Sequence, residues 1–277
     1  MRFTILILIY IFSNSVFAGG PWLNKKKEGF FQLQSTFPGG AYNRLFLENG
    51  KELELNTSVL DYTIQAYLEY GITDKLNLIS TLPFKYVSTT SNSNINLLPD
   101  GNLSGLGNYK LGVKYRISDK NLKIATSVQS SLKTISKDLD KGLITGYDAN
   151  TIGAYFHIGK GFSQNIYSFL DVGINIMSNN FNDYLDIHYE LGYQIKPSLW
   201  TAFTLDLRET ITNESYIVEN LRQTALYTNN QEYFAFGFKG SYEFKNKIGF
   251  TAATFGAFSG NYVAKISTFS VGIYKKW

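Results

Sequence analysis

The feature that most constrains this chain is a strict alternation of apolar and polar side chains along an antiparallel ribbon. In residues 108–132, polar or small side chains separate a row of apolar ones at Tyr109, Leu111, Val113, Tyr115 and Ile117. Successive side chains of a strand point to opposite faces, so one face of this arm is apolar and the other is charged. Residues 118–121 suit a turn, and the second arm then places Leu122 opposite Ile117 on the apolar face. We therefore predict an amphipathic β-hairpin with long arms.

This ribbon pattern recurs at intervals of about forty residues. One arm of each pair ends with an aromatic residue, a spacer and an apolar residue, and a short polar turn follows. The aromatic residues are Tyr70, Tyr115, Phe156, Tyr193 and Tyr242. Aromatic side chains at one level beside the turns are typical of the interfacial girdle of a membrane barrel.

The other connections are longer and more polar, at residues 38–56, 89–105, 134–148, 178–183, 212–231 and 259–261. Short turns that alternate with long loops are typical of bacterial outer-membrane barrels. We predict an all-β fold, a transmembrane antiparallel up-and-down β-barrel of about twelve strands, with both mature termini on the periplasmic side. A propeller and a secreted β-sandwich are the soluble alternatives, but each repeat here offers two long arms rather than four short strands.

Two local features need separate interpretations. The uncharged stretch 248–264 contains three glycines, and we interpret it as a hairpin with a tight turn at 259–261. Pro83 interrupts an otherwise regular strand, where it removes one ladder hydrogen bond, and a bulge is one way to accommodate it.

The first eighteen residues read as a secretory signal peptide. Arg2 supplies the positive start, residues 4–12 the apolar region and Ala18 the cleavage point. The apolar region is about half of the ~20 residues that a membrane-spanning helix needs; an uncleaved anchor or a buried helix is the alternative. We predict a cleaved signal over residues 1–18 and a barrel over residues 19–277, integral to the outer membrane and surrounded by its lipid.

Composition and the chain end narrow the class further. The absence of cysteine excludes a disulfide scaffold, a cysteine-based metal or redox site and lipoprotein processing. The formal charge of +4 is scattered, which predicts no nucleic-acid partner. Near the end, Phe269, Val271 and Ile273 alternate on one face and the last residue is Trp277. This arrangement resembles the signal that the barrel-insertion machinery recognises, so we predict that machinery as a partner.

The polar faces of the strands would line the lumen. They also carry Asp61 and Glu69, and the candidate lumen-lining charges are Lys110, Lys114, Arg116, Lys123, Asp171, Asp186, His188, Glu190, Asp206, Arg208, Lys239 and Glu243. One interpretation is a water-filled pore with basic and acidic walls; the other is a closed network of paired charges. About twelve strands lie between the filled eight-stranded barrels and the wide porins, and we favour a narrow or gated pore.

The sequence offers no catalytic, cofactor-binding or metal site. His188 lies between Asp186 and Glu190 on one strand face, so either acid could orient it, but no motif ties a serine to this histidine or to His157. Asp186 and His188 supply at most two metal ligands. We therefore predict no enzyme activity and no cofactor.

Three stretches carry a family resemblance. They are Tyr-Gly-Ile-Thr-Asp-Lys-Leu at 70–76, Leu-Pro-Phe at 82–84, and Gly-Leu-Gly-Asn followed by an alternating strand at 105–116. The chain resembles the outer-membrane barrel family described as "MetA-pathway of phenol degradation", although Asn108 and Lys75 stand where that family has Asp and Arg. The resemblance implies a transporter for small molecules, with small hydrophobic or aromatic compounds as candidate solutes, and it transfers no binding residue.

Two functions stay open at this stage. The first is a channel for passive or facilitated passage of small molecules. The alternative is a non-conducting structural or adhesive barrel that acts through its outer loops. Four loop tyrosines are either contacts for aromatic solutes or ordinary loop packing: Tyr42, Tyr147, Tyr216 and Tyr227.

Overall fold

The computed structural model describes residues 19–92, 99–214, 224 and 226–277, and within them twelve long strands form one closed barrel. The strands are β1 Gly29–Pro38, β2 Glu52–Thr73, β3 Leu76–Ser91, β4 Tyr109–Asp119, β5 Lys123–Leu132, β6 Thr151–Gly161, β7 Ile166–Met177, β8 Tyr184–Lys196, β9 Leu199–Thr210, β10 Glu232–Glu243, β11 Ile248–Asn261 and β12 Thr268–Lys276. Each strand pairs antiparallel with the next, and β1 pairs with β12 from Phe30↔Lys276 to Pro38↔Thr268. The predicted all-β up-and-down barrel of about twelve strands is confirmed.

Shorter elements lie in the long connections: strands Tyr42–Phe46, Gly101–Leu106, Lys137–Asp138, Leu143–Ile144 and Val263–Ala264, and the 3₁₀ turn Glu48–Gly50. We call the end of the barrel with the short connections the turn end, and the other the loop end. Among the described residues no helix is long and apolar enough to cross a membrane.

The predicted alternation separates an apolar outer surface from a polar interior. On the β4–β5 hairpin, Val113 pairs with Val128, and the two are 42% and 53% exposed on the outside. The next pair, Lys114 and Ser127, points inward, and each residue is only 2% exposed. A continuous apolar exterior of this kind is what a barrel presents to lipid.

Four of the five predicted girdle residues are exposed on the outside of the barrel near the turn end, and the fifth, Tyr70, is half-buried. The side chains of Tyr115, Phe156, Tyr193 and Tyr242 are exposed there. Trp277 lies at the same end and exchanges backbone hydrogen bonds with Gly29. The start of β1 and the end of β12 therefore lie beside the short turns, where an interfacial girdle is expected.

Two details of the predicted register are wrong. The pairing of Ile117 with Leu122 fails because the β4–β5 register shifts between Arg116 and Ser118, which leaves Ile117 in a bulge. The turn predicted at 259–261 also fails, because β11 continues to Asn261. A Cβ on Gly260 would lie 2.4 Å from the Glu232 carbonyl oxygen, so this glycine serves a close approach of two strands rather than a turn.

Pro83 lies beside a bulge in the neighbouring strand. Thr81 pairs with Lys110 and Phe84 with Leu106, so the two residues of β3 between these pairs face three residues, 107–109, of the neighbouring chain segment. The amide of Gly107 donates to the Pro83 carbonyl at 2.9 Å. The interrupted ladder accommodates the proline, which has no N–H to contribute.

Apolar side chains fill the interior of the barrel at the loop end. Tyr42, Leu45, Val59, Val87 and Leu143 form a buried cluster in which the connections after β1 and β5 meet the inward faces of β2 and β3. Tyr42 belongs to this packing and is only 7% exposed, which matches the alternative of ordinary loop packing at this position.

Candidate functional site

A cavity of about 540 Å³ lies inside the barrel. This volume is within the range of small-molecule sites. Eight of the twelve candidate lumen charges line it, namely Lys110, Lys114, Asp171, Asp186, His188, Asp206, Arg208 and Lys239. Glutamines and tyrosines from the same inward faces complete the wall. The cavity is the candidate site, and the groups that bound it decide what it can admit.

The segment that precedes β1, residues 19–28, crosses the barrel at the turn end. Lys114 donates from Nζ to the Gly20 carbonyl at 3.2 Å, and Arg116 donates to the Leu23 carbonyl at 2.8 Å. Trp22 packs edge-on against Tyr167, with ring centroids 5.4 Å apart. This segment carries no strand pattern, so sequence reasoning did not find that it occupies the lumen.

Two glycines make room for this segment. A Cβ on Gly71 would lie 2.0 Å from the Lys25 carbonyl oxygen, and one on Gly159 would lie 2.9 Å from the Pro21 ring. Gly71 also exchanges backbone hydrogen bonds with Lys27 and Glu28. The barrel wall at these positions is shaped to hold the segment.

Glu69 contacts two cavity-lining side chains, Tyr67 and Lys114, at the turn end of the cavity. This carboxylate is 3% exposed and accepts from the Tyr67 hydroxyl at 2.9 Å and from the Asn77 amide at 2.8 Å. Lys114 Nζ lies 3.2 Å away. A buried carboxylate needs such partners because its desolvation is costly.

A second polar group lies between the cavity and the loop end, at the level between the cavity-lining Gln65 and Val59 of the buried apolar cluster. Lys85 pairs with Asp61 at 2.8 Å, and the hydroxyl of Tyr227 contacts both. Tyr147 packs edge-on against Tyr227 and also lies beside Phe181. Two of the four loop tyrosines therefore reach into the lumen, while Tyr216 lies outside the described residues.

Arg208 and Asp186 form a two-point ion pair on the cavity wall. The Arg208 Nε and Nη2 groups donate to the two Asp186 oxygens at 2.9 and 3.2 Å. The guanidinium lies 4.0 Å from the centre of the Tyr184 ring and 5.4 Å from that of Tyr233. Bidentate pairing and aromatic stacking hold the guanidinium in one orientation.

His188 is oriented by a different acid from those expected. Its Nδ1 lies 2.6 Å from Asp206, whereas Nε2 is 4.0 Å from Glu190. Asp206 lies directly across the β8–β9 pair, and directly paired residues approach more closely than neighbours on one strand face. Asp186 is engaged by Arg208 instead. The expectation that Asp186 or Glu190 orients this histidine is wrong.

Ser127, His157 and Asp171 follow one another across three neighbouring strands. The Ser127 hydroxyl lies 2.9 Å from His157 Nε2, and Nδ1 lies 2.8 Å from Asp171 but is poorly aligned for a hydrogen bond. The order matches a hydrolytic triad, and the sequence missed it because the residues are far apart in the chain. Ser127 does not line the cavity and is almost fully buried, so this arrangement leaves no approach for an acyl carbon.

The other four candidate lumen charges do not line the cavity. Glu190 lies behind its wall, where it accepts from Tyr167 and Lys239, each at 2.6 Å. The three remaining charges lie near the turn end. Arg116 and Lys123 both contact Asp119, and Glu243 accepts from Tyr274 and pairs with Lys276.

Comparisons with known proteins support the architecture. No protein-family model and no curated protein matches this chain. Its fold is similar to that of the COG4313 outer membrane channel from Pseudomonas putida F1, at 13% identity and a TM-score of 0.71, covering 94% of this chain and 99% of that one. It is also similar to the KdgM porin (7% identity, TM-score 0.53, 90% and 99% coverage) and the NanC porin (9%, 0.52, 89% and 100%). The chain therefore has the fold of an outer-membrane β-barrel, while the resemblance to the MetA-pathway family stays a prediction.

Proposed function

We propose that this protein is an outer-membrane channel for passive or facilitated passage of small molecules, here in a closed conformation. The observation that carries the proposal is the cavity of about 540 Å³ inside the barrel. Small barrels with a purely structural role fill the interior with side chains, whereas this one keeps a space of ligand size. The proteins of similar fold are named as a channel and as porins, which supports transport rather than catalysis as the function.

The solute path follows from the groups that bound the cavity. In this proposal the turn end faces the periplasm, because bacterial barrels have short periplasmic turns and long outer loops. A solute enters past the Lys85–Asp61–Tyr227 group and leaves when residues 19–28 move aside. Several polar contacts and one aromatic cluster hold that segment, so it can leave without unfolding the barrel.

Conductance in planar bilayers tests the proposal. Gly71→Ala would drive a methyl group against the Lys25 carbonyl and loosen the segment, so we expect larger or more frequent conductance steps than in the wild type. The matched control is Gly40→Ala, because nothing lies within 4 Å of a Cβ at Gly40. Silence of all three proteins at every voltage, with correctly folded barrels, would refute the channel and favour the structural or adhesive barrel.

Export and insertion are part of the same proposal. The predicted signal peptide, residues 1–18, lies outside the described residues. The final strand carries Phe269, Val271 and Ile273 on its outer face, and Trp277 follows it. We propose that the insertion machinery recognises this strand and delivers the barrel to outer-membrane lipid.

A further inference from the structure

One cation in the cavity differs from the others. Lys110 projects from β4 into the cavity and is exposed there, and within the part of the chain that the structure describes its ammonium has no hydrogen bond or ion pair. The other lysine and arginine side chains on the lumen wall each face a carboxylate, in the pairs Lys85–Asp61, Lys114–Glu69, Arg208–Asp186 and Lys239–Glu190. Lys110 is therefore available to a solute.

A second positive charge lines the same cavity as Lys110. Arg208 and Asp186 are both part of the cavity wall, and Arg208 holds Asp186 through two hydrogen bonds. The three groups together carry one excess positive charge. Two like charges that face one cavity attract an anion between them, and the low dielectric of the wall strengthens that attraction.

The remaining carboxylates on the cavity wall each lie beside a histidine. Asp206 contacts His188 at 2.6 Å, and Asp171 lies 2.8 Å from His157. The excess positive charge of the cavity is therefore located at Lys110 and Arg208.

The cavity-lining side chains around Lys110 suit a flat organic molecule. Tyr67, Tyr155 and Tyr233 present ring surfaces, and Gln65 and Gln129 add amide donors that can bond a carboxylate oxygen. A volume of about 540 Å³ holds one substituted aromatic ring with a few waters.

We propose that Lys110 is the main determinant of a binding site for a small aromatic monocarboxylate. The carboxylate lies between the Lys110 ammonium and the amide donors, and the ring lies against the tyrosines. The inference deepens the proposed channel function, on which it rests, by giving its solute a chemical class.

Benzoate is the probe. Binding is measured by calorimetry on the purified full-length protein in detergent micelles, with benzamide as the neutral analogue and detergent alone as the blank. We expect Lys110→Gln to weaken benzoate binding about tenfold or more, as the loss of a charge-assisted hydrogen bond predicts. Lys110→Arg should retain most of the affinity. Lys120→Gln, the same change at an exposed turn, should retain all of it.

The outcomes separate this inference from the channel proposal. Benzoate binding that is equal in the wild type and Lys110→Gln, or no stronger than benzamide binding, would overturn the site even if the barrel conducts. Preferential binding of zwitterionic phenylalanine would also overturn it, since that would assign the cavity to a balanced pair of charges. Lys110-dependent benzoate binding to a barrel that never conducts would retain the site and reject the channel. Because the Lys110 ammonium forms no hydrogen bond or ion pair with the described residues, its variants should fold, and heat-modifiable mobility on gels checks this.

Discussion

The buried pair of Glu190 and Lys239 permits a sharp test of how the lumen charges stabilise the barrel. Glu190 is 1% exposed and accepts at 2.6 Å from both Lys239 and the Tyr167 hydroxyl, whereas the Lys239 side chain is 20% exposed to the lumen. The two partners are thus unequally solvated. Removal of the Glu190 charge and removal of the Lys239 charge should therefore lower the free energy of unfolding by different amounts.

Lys239→Met leaves a buried carboxylate with the Tyr167 hydroxyl and the more distant His188. We expect a loss of about 3 kcal/mol, the lower end for a broken buried pair because one hydrogen bond persists. Glu190→Gln keeps an acceptor for Tyr167 and leaves a partly hydrated ammonium, so it should cost about 1–2 kcal/mol. The double variant removes both charges and should cost about 2 kcal/mol, less than Lys239→Met alone, which gives a coupling energy of about 2–3 kcal/mol.

Equilibrium urea unfolding of the barrel in lipid vesicles, followed by tryptophan fluorescence, measures these differences. The control is the exposed Asp119–Lys123 pair, which is 2.9 Å long but has side chains 57% and 29% exposed. Replacement of either partner should change stability by no more than about 0.5 kcal/mol. Additive losses at Glu190 and Lys239, or a loss below about 1 kcal/mol for Lys239→Met, would refute the reasoning.

Three further predictions concern packing, insertion and pH. Gly192→Ala should destabilise the barrel by about 1–3 kcal/mol, because a Cβ there would lie 2.0 Å from the ring of Tyr167, which Glu190 holds in place. Equal urea midpoints for this variant and Gly40→Ala would contradict this prediction. Trp277→Ala should lower the amount of protein in outer-membrane fractions while refolding in detergent is unchanged, and an unchanged membrane fraction would reject the insertion role. Partial burial would raise the pKa of Asp148, but hydrogen bonds from two lysines of the same loop outweigh it and lower that pKa. This stabilisation is present above the ordinary value of about 3.9 and is lost as pH falls through the lower folded pKa. The protection of residues 134–148 from hydrogen exchange, relative to the intrinsic rate at the same pH, should therefore fall in acid, and Asp148→Asn should abolish that dependence.

The wall of the barrel was predictable because alternation is a local property. Val113 and Lys114 differ in environment only because successive side chains point to opposite faces, and this holds for any strand in a sheet with one apolar side. The inward direction of Lys110, Asp186 and Arg208 follows from the same rule. Local irregularities were less accessible: the bulge at Ile117 and the continuation of β11 through Gly260 depend on the register of a neighbouring strand.

Contacts between inward side chains of neighbouring strands were beyond the reach of the sequence. Ser127 meets His157 across one strand pair, and Asp206 rather than Asp186 meets His188, because the register of each strand pair decides which inward side chains face one another. The occupation of the lumen by residues 19–28 had no local pattern to predict it. Glycine is required at positions 71 and 159 because a side chain there would clash with the segment, and this requirement is visible only in the folded structure.

The sequence by itself determined the fold class, an approximate strand count and the two faces of the wall, since a period of two assigns strand residues to lipid or lumen without knowledge of their partners. Only the tertiary structure decided which lumen charges neutralise one another and which one, Lys110, stays available. Pairing depends on distances of a few ångströms between strands far apart in the chain, and alternation carries no information about those distances.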